Sequence, residues 1–233
     1  MSIAENIDHV TRAIAQAATA AGRAAAEVQL LAVSKTFGAD AVVEAAQAGQ
    51  RAFGENYLQE ALDKMQAVRR LRPDLTLRWH FIGPIQSNKT RLIAEHFDWV
   101  HSVDREKIAQ RLSDQRPAGL PPLNICLQVN VSGEDSKSGV APDQVLALAQ
   151  AIAVLPHIHL RGLMAIPEPA ESFDQQRPPF RALREIQAQL SANGIHTDTL
   201  SMGMSADMAA AIAEGATIVR VGTAIFGKRD YAN

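Results

Sequence analysis

The chain has 233 residues, 47% of them apolar and 21% charged, with a formal net charge of −2. That length allows one large domain or two small ones with a sizeable core, and the near-neutral balance excludes a global electrostatic bias toward nucleic acid or anionic lipid. One cysteine, Cys126, excludes an internal disulfide framework and fits a reducing compartment.

The opening stretch MSIAENIDHV carries Glu5 and Asp8 and no continuous apolar run, so it reads as neither a secretory signal nor a transit peptide. No window approaches the roughly 18 apolar residues of a membrane span. The expectation is a soluble, cytoplasmic protein. Ser2 and Glu5 have capping-box spacing. Behind them Ile3, Ile7, Val10 and Ile14 recur at helical spacing, and Gly22 is a natural stop, so a helix precedes any strand. Short apolar runs then follow at 28–34, 51–54, 78–83, 98–103, 123–130, 159–166, 199–202 and 217–222. Helix-like stretches lie between them at 39–49, 56–70, 87–97, 104–113, 142–155, 180–194 and 205–215, several ending in glycine.

Strands alternating with helices imply parallel pairing and right-handed crossovers. Eight such units match the lower size range of a (β/α)8 TIM barrel, here with an extra N-terminal helix. A doubly wound open sheet is the rival, but it would usually carry a Gly-rich turn after the first strand. No linker or repeat divides the chain, and SGEDSKSG (132–139) is too short to separate domains, so residues 1–233 read as a single domain.

In a barrel the acting side chains sit at the carboxyl ends of the strands. Those ends supply Ser34-Lys35, Gly54-Glu55-Asn56, His80 with Gly83, Met164, the run Ser201 to Ser205, and Arg220 with Gly222-Thr223. The turns after strands seven and eight occupy the usual phosphate position, where glycine admits the anion and hydroxyls and free N–H groups donate, with Ser205 opening the next helix. Lys35 follows an apolar strand, and apolar surroundings favour the neutral amine that attacks carbonyls. A phosphate, a carbonyl and an arginine together point to pyridoxal 5′-phosphate (PLP). Arg220, always protonated, donates to the pyridine nitrogen and weakens the ring as an electron sink.

Plainer readings stand beside these. Lys35 also reads as a snorkelling strand-end lysine, Arg220 as the partner of a buried Glu55, and His80 as a hydrogen-bonded core histidine. Met202, Met204 and Met208 read as packing, and Cys126 as a small buried hydrophobe. The cluster RRLR (69–72) suits a helix C-terminus rather than nucleic acid, and Lys137 reads as a solvated lysine.

The segments AVSK (32–35), FGENY (53–57), WHFIGPIQSNK (79–89), SGEDSKSG (132–139), RGLMAIP (161–167), LSMGMSAD (200–207) and VRVGTAIFG (219–227) resemble the YggS/PROSC family of PLP-homeostasis proteins, in order and over nearly the whole chain. The resemblance implies one PLP-binding barrel similar to the N-terminal domain of bacterial alanine racemase. By motif it implies Lys35 as the Schiff-base lysine holding PLP as an aldimine. Ser201, Ser205, Gly222 and Thr223 become phosphate ligands, Arg220 the pyridine-nitrogen partner, Asn56 a neighbour of the ring hydroxyl, and His80 a pocket wall. Where the family often has Thr-Lys-Pro after AVSK, this chain has Thr36-Phe37-Gly38, so a second lysine is absent. The implied role is PLP (vitamin B6) homeostasis without robust catalysis; PLP-dependent apoenzymes are the expected recipients, and a monomer is the expected state. A PLP-dependent amino-acid racemase is the alternative, although the chain ends at the barrel in a short KRDYAN tail, with Tyr57 and Tyr231 its two tyrosines. A Schiff-base aldolase acting on a sugar phosphate is the third reading.

Overall fold

The structure, a computed structural model, describes residues 1–133 and 138–227. Lys137 and the KRDYAN tail with Tyr231 lie outside the described residues. Eight parallel strands close into a barrel in chain order: β1 (Gln29–Val33), β2 (Ala52–Glu55), β3 (Arg78–Phe81), β4 (Trp99–Val103), β5 (Leu123–Gln128), β6 (Ile158–Met164), β7 (Thr199–Ser201) and β8 (Ile218–Val221). β1 pairs with β8, Leu31 opposite Arg220, which closes the ring. This is the expected (β/α)8 barrel, and every strand falls within or beside its apolar run.

The strands are apolar on both faces because both are covered. Leu31, Ala52, Trp99, Cys126, Met164 and Ile218 form one buried cluster, separate from the larger core. A larger cluster packs the outer strand faces against the helices. Each fully buried Leu or Phe in it contributes about 1.5–3 kcal/mol. Burial pushes the Cys126 thiol up to about 12, so it stays a neutral core group. Among the described residues no helix is long and apolar enough to cross a membrane.

The leading helix α1 (Ile3–Ala20) starts on the Ser2–Glu5 capping box and buries Ile7, Val10, Ile14 and Ala18. It fixes the end of the barrel where β8 leads out. Asn6 Nδ2 donates to the Ile225 carbonyl at 2.8 Å, and Arg23 Nη1 donates to the Ile212 and Ala216 carbonyls, both at 2.8 Å. Between the strands run α2 (Ala39–Gln47), α3 (Leu58–Leu71), α4 (Thr90–His96), α5 (Glu106–Gln115), α6 (Val145–Ala153), α7 (Phe173–Ala192) and α8 (Met208–Ala213), with α9 (Thr223–Phe226) after β8.

Two helices depart from the sequence expectation. α7 begins at Phe173 rather than Phe180 and runs through Pro178 and Pro179. Its start is fixed by a second capping box, Ser172 with Gln175, which the proline pair obscured. α8 begins at Met208, so Ser205 lies in the preceding turn and does not open the helix. Three arginines of α7, Arg177, Arg181 and Arg184, converge on the buried Glu214 carboxylate at the end of α8 and pin the two helices together.

Candidate functional site

β1 delivers its last side chains into a turn. Phe37 N–H donates to the Ser34 carbonyl at 3.1 Å, and Thr36 has φ 69°, the left-handed value of the third position in a type II turn. Lys35 is the second residue of that turn and is half-buried. The ring of Phe37 stacks on Phe226 of α9 at 5.1 Å, joining the turn after β1 to the turn after β8. Gly83, past β3, lies against Asn56: a Cβ there would come within 2.3 Å of the Asn56 carbonyl oxygen. Only glycine lets these two strand ends approach so closely.

Six of the eight expected site residues line one cavity of about 300 Å³ at the carboxyl ends of the strands: Lys35, Asn56, Ser205, Arg220, Gly222 and Thr223. Val33, Ile82, Ile166, Met204 and Ala206 complete it. Met204, read from the sequence as packing, is 41% exposed and forms part of this wall. The amides of Ser205, Ala206, Thr223 and Ala224 donate to no acceptor among the described residues. Of these residues Ser205, Ala206 and Thr223 line the cavity, and Ala224 follows Thr223 in the chain.

Arg220 is buried. Its Nη1 donates to the carbonyl and hydroxyl of Ser201 at 2.7 and 2.8 Å, and Nη2 donates to the Ala165 carbonyl at 3.0 Å. Of its five N–H bonds two have no acceptor among the described residues. Burial lowers its pKa to about 10, which leaves it charged at neutral pH. Glu55 is not its partner; Glu55 pairs with Lys64 of α3 at 2.7 Å.

Ser201 and His80 lie beneath the cavity, fully buried, and are not among its lining residues. They belong to a chain inside the barrel. His101 Nδ1 is 2.7 Å from Ser201 Oγ, and His101 Nε2 is 2.9 Å from His80 Nδ1. Since Arg220 donates to Ser201 Oγ, the serine proton is free to go to His101 Nδ1. His101 then donates from Nε2 to His80, whose own Nε2 is buried without a partner among the described residues. The opposite set of tautomers would strand the serine proton as well. His80 also stacks flat on Trp99, the rings 5.3 Å apart. Burial lowers the His80 pKa to about 3, with Arg78 adding repulsion. Burial likewise holds His101 well below the usual histidine range, reinforced by His80 and Arg220. Both rings are neutral. His101 was missed in the sequence, where DWVHSV reads as an apolar strand; strand alternation from Trp99 puts it on the same inward face.

The family profile described as "Alanine racemase, N-terminal domain" matches residues 6–230. The chain is 65% identical over 230 residues to the pyridoxal phosphate homeostasis protein of Pseudomonas aeruginosa, covering 99% of this chain and 97% of that one. It is 58% identical over 231 residues to the pyridoxal phosphate homeostasis protein of Vibrio cholerae, covering 99% and 98%. Among solved structures, PipY of Synechococcus elongatus PCC7942 with PLP bound is 38% identical with a TM-score of 0.83, covering 97% of this chain and 100% of PipY. The chain therefore belongs to the alanine racemase N-terminal domain family and, within it, to the pyridoxal phosphate homeostasis proteins.

Proposed function

We propose that this protein binds PLP in the cavity at the barrel mouth, as one binding unit over residues 1–233, and serves PLP homeostasis in the cytoplasm. The observation that carries the reading is convergence. A half-buried amine, a buried guanidinium with two N–H bonds unused among the described residues, and three residues whose backbone amides find no acceptor among the described residues line one cavity of about 300 Å³. PipY, 38% identical, has a structure with PLP bound, which supports the same ligand here.

The residues fit that ligand. PLP supplies an aldehyde that a lysine amine captures as an imine with loss of water, and a phosphate dianion that needs several donors. Lys35 provides the amine. The amides of the 205–206 and 223–224 turns and the hydroxyls of Ser205 and Thr223 hold the phosphate, with Gly222 giving access. Arg220 faces the ring nitrogen as a donor only, and Asn56, whose buried Oδ1 has no partner among the described residues, meets the polar edge of the ring. Ser201 acts through Arg220 by fixing its plane, and His80 acts through His101 and Ser201, one step further back.

Holding and handing on PLP is favoured over racemisation by the cavity wall. Among the described residues that line it, Lys35 and Arg220 are the only ionisable ones. PLP-dependent apoenzymes are the recipients in this reading, and the carrier is a monomer. Equilibrium dialysis with PLP, read with the absorption spectrum, tests it. Stoichiometric binding with a visible band near that of lysine-bound PLP supports the reading and separates it from a sugar-phosphate aldolase. A colourless protein that does not retain PLP would overturn it.

A further inference from the structure

Lys64 of α3 is a charged side chain only 3% exposed, and the proposed function leaves it unexplained. Its ammonium carries three N–H bonds, and all three are used. They go to the Ser34 carbonyl at 2.7 Å, to Glu55 Oε1 at 2.7 Å and to Glu60 Oε1 at 3.0 Å. Ser34 Oγ donates to the same Glu55 oxygen at 2.5 Å. Glu60 Oε1 in turn accepts the Thr36 N–H at 2.7 Å. The two peptide groups on either side of Lys35 are thus gripped by one cluster. The Ser34 carbonyl is held by Lys64, and the Thr36 amide by Glu60, which Lys64 holds.

What the cluster holds in place is unfavourable by itself. Thr36 is the only described non-glycine residue with positive φ. A β-branched side chain there is a real outlier, in a turn position that ordinarily takes glycine. Such a conformation persists only where surrounding contacts impose it. Burying Lys64 with two carboxylates is also costly unless every donor is matched. Both features are accounted for if the cluster exists to fix the direction in which Lys35 leaves the strand.

We infer that Lys64, with Glu60, is a positioning residue for Lys35: it clamps the Ser34–Phe37 turn in its left-handed form and so aims the Lys35 amine into the cavity. This rests on the PLP reading for the purpose of the aim, though the clamp itself belongs to the chain without ligand. Glu55 anchors Lys64 from below and contributes no contact to the turn amides.

The test uses the full-length protein and four variants. Glu60→Ala removes the acceptor for Thr36 N–H, and Glu60 is exposed enough for the fold to tolerate it. In the ligand-free protein, amide hydrogen exchange at Thr36 should rise at least tenfold. On mixing with PLP, the rate constant of covalent attachment, followed by absorbance, should fall at least tenfold. Lys64→Met should act in the same direction. Glu60→Gln, which keeps an acceptor oxygen, should stay within about threefold of the parent. Adding Thr36→Gly to Glu60→Ala should recover most of the attachment rate, because glycine takes the left-handed value without strain. Recovery of that kind would not follow from a general loss of stability. Glu60→Ala attaching PLP at the parental rate, or a loss that Thr36→Gly leaves untouched, would overturn the inference. A parent protein that never attaches PLP would refute the PLP reading instead, and the exchange measurement, made without ligand, would still decide the clamp.

Discussion

Arg220 and Ser201 share a double contact: Nη1 of the arginine lies 2.7 Å from the serine carbonyl oxygen and 2.8 Å from its hydroxyl oxygen. One serine thereby fixes the plane of a buried guanidinium through two acceptors set by the end of β7. Ser201→Ala removes one acceptor and leaves His101 Nδ1 without a partner. Hydrogen bonds to charged groups contribute about 1.5–3 kcal/mol, and urea unfolding should show a loss of that size. PLP affinity should fall less than in a variant that touches the phosphate. A Ser201→Ala protein as stable as the parent would mean that the contact does not hold Arg220.

Acid should destabilise this fold before its carboxylates titrate. In the unfolded chain both barrel histidines titrate near 6.5. In the folded chain burial takes His80 to about 3 and keeps His101 well below 6.5. Below pH 6.5 the unfolded chain therefore binds more protons. The stability tied to these neutral rings is fully present above pH 6.5 and is lost as pH falls toward 3. Two such groups give a slope of up to about 2.7 kcal/mol per pH unit. Urea midpoints measured from pH 7.5 to 5 should decline steadily, and His101→Phe should flatten the decline. A midpoint constant over that range would contradict the neutral pair.

Thr223→Ala and Ser205→Ala should weaken retention of PLP far more than binding of pyridoxal, which lacks the phosphate. Each lost hydrogen bond to the dianion costs about 1.5–3 kcal/mol, a factor of roughly 10 to 100 in affinity. Equal losses for both ligands would place the phosphate elsewhere.

The barrel was legible because its signals are local. Eight apolar runs separated by helix-like stretches, with glycine stops, are each set by neighbours in sequence. Strand ends then gave Lys35, Asn56, Ser205, Arg220, Gly222 and Thr223, which meet at one cavity. What the sequence did not disclose depends on neighbours far apart in the chain. The resemblance of LSMGMSAD implied Ser201 as a phosphate ligand, yet its hydroxyl is taken up by Arg220 and by His101, 100 residues away in sequence. Nothing in the sequence singles out Lys64 within the helix-like stretch 56–70. Its burial is visible only once β1 and β2 bring Ser34 and Glu55 beneath it. The early start of α7 was hidden by Pro178-Pro179, a pair that ordinarily marks a break.

Racemisation of alanine should be negligible with PLP bound. Inversion needs proton removal on one face of the substrate and delivery on the other. Lys35 serves one face, and Arg220, with a pKa of about 10, is a poor donor for the other. Tyr57 lines a neighbouring cleft with Lys89, and His80 lies below the floor. Incubation with L-alanine in deuterated water should give slow Cα exchange without D-alanine. D-alanine formed at an ordinary enzyme rate, about 1–10³ per second, and abolished by Lys35→Ala, would favour the racemase reading.

Peptide mapping after borohydride reduction of the PLP-loaded protein bears most directly on the site. Reduction fixes the cofactor on whichever amine holds it. The expected result is one modified peptide carrying the adduct on Lys35, with no such adduct and no band of lysine-bound PLP in Lys35→Ala, which should still retain some PLP through the phosphate turns. An adduct found mainly on Lys89, Lys137 or Lys228 would contradict the assignment of the cavity and of the lysine together.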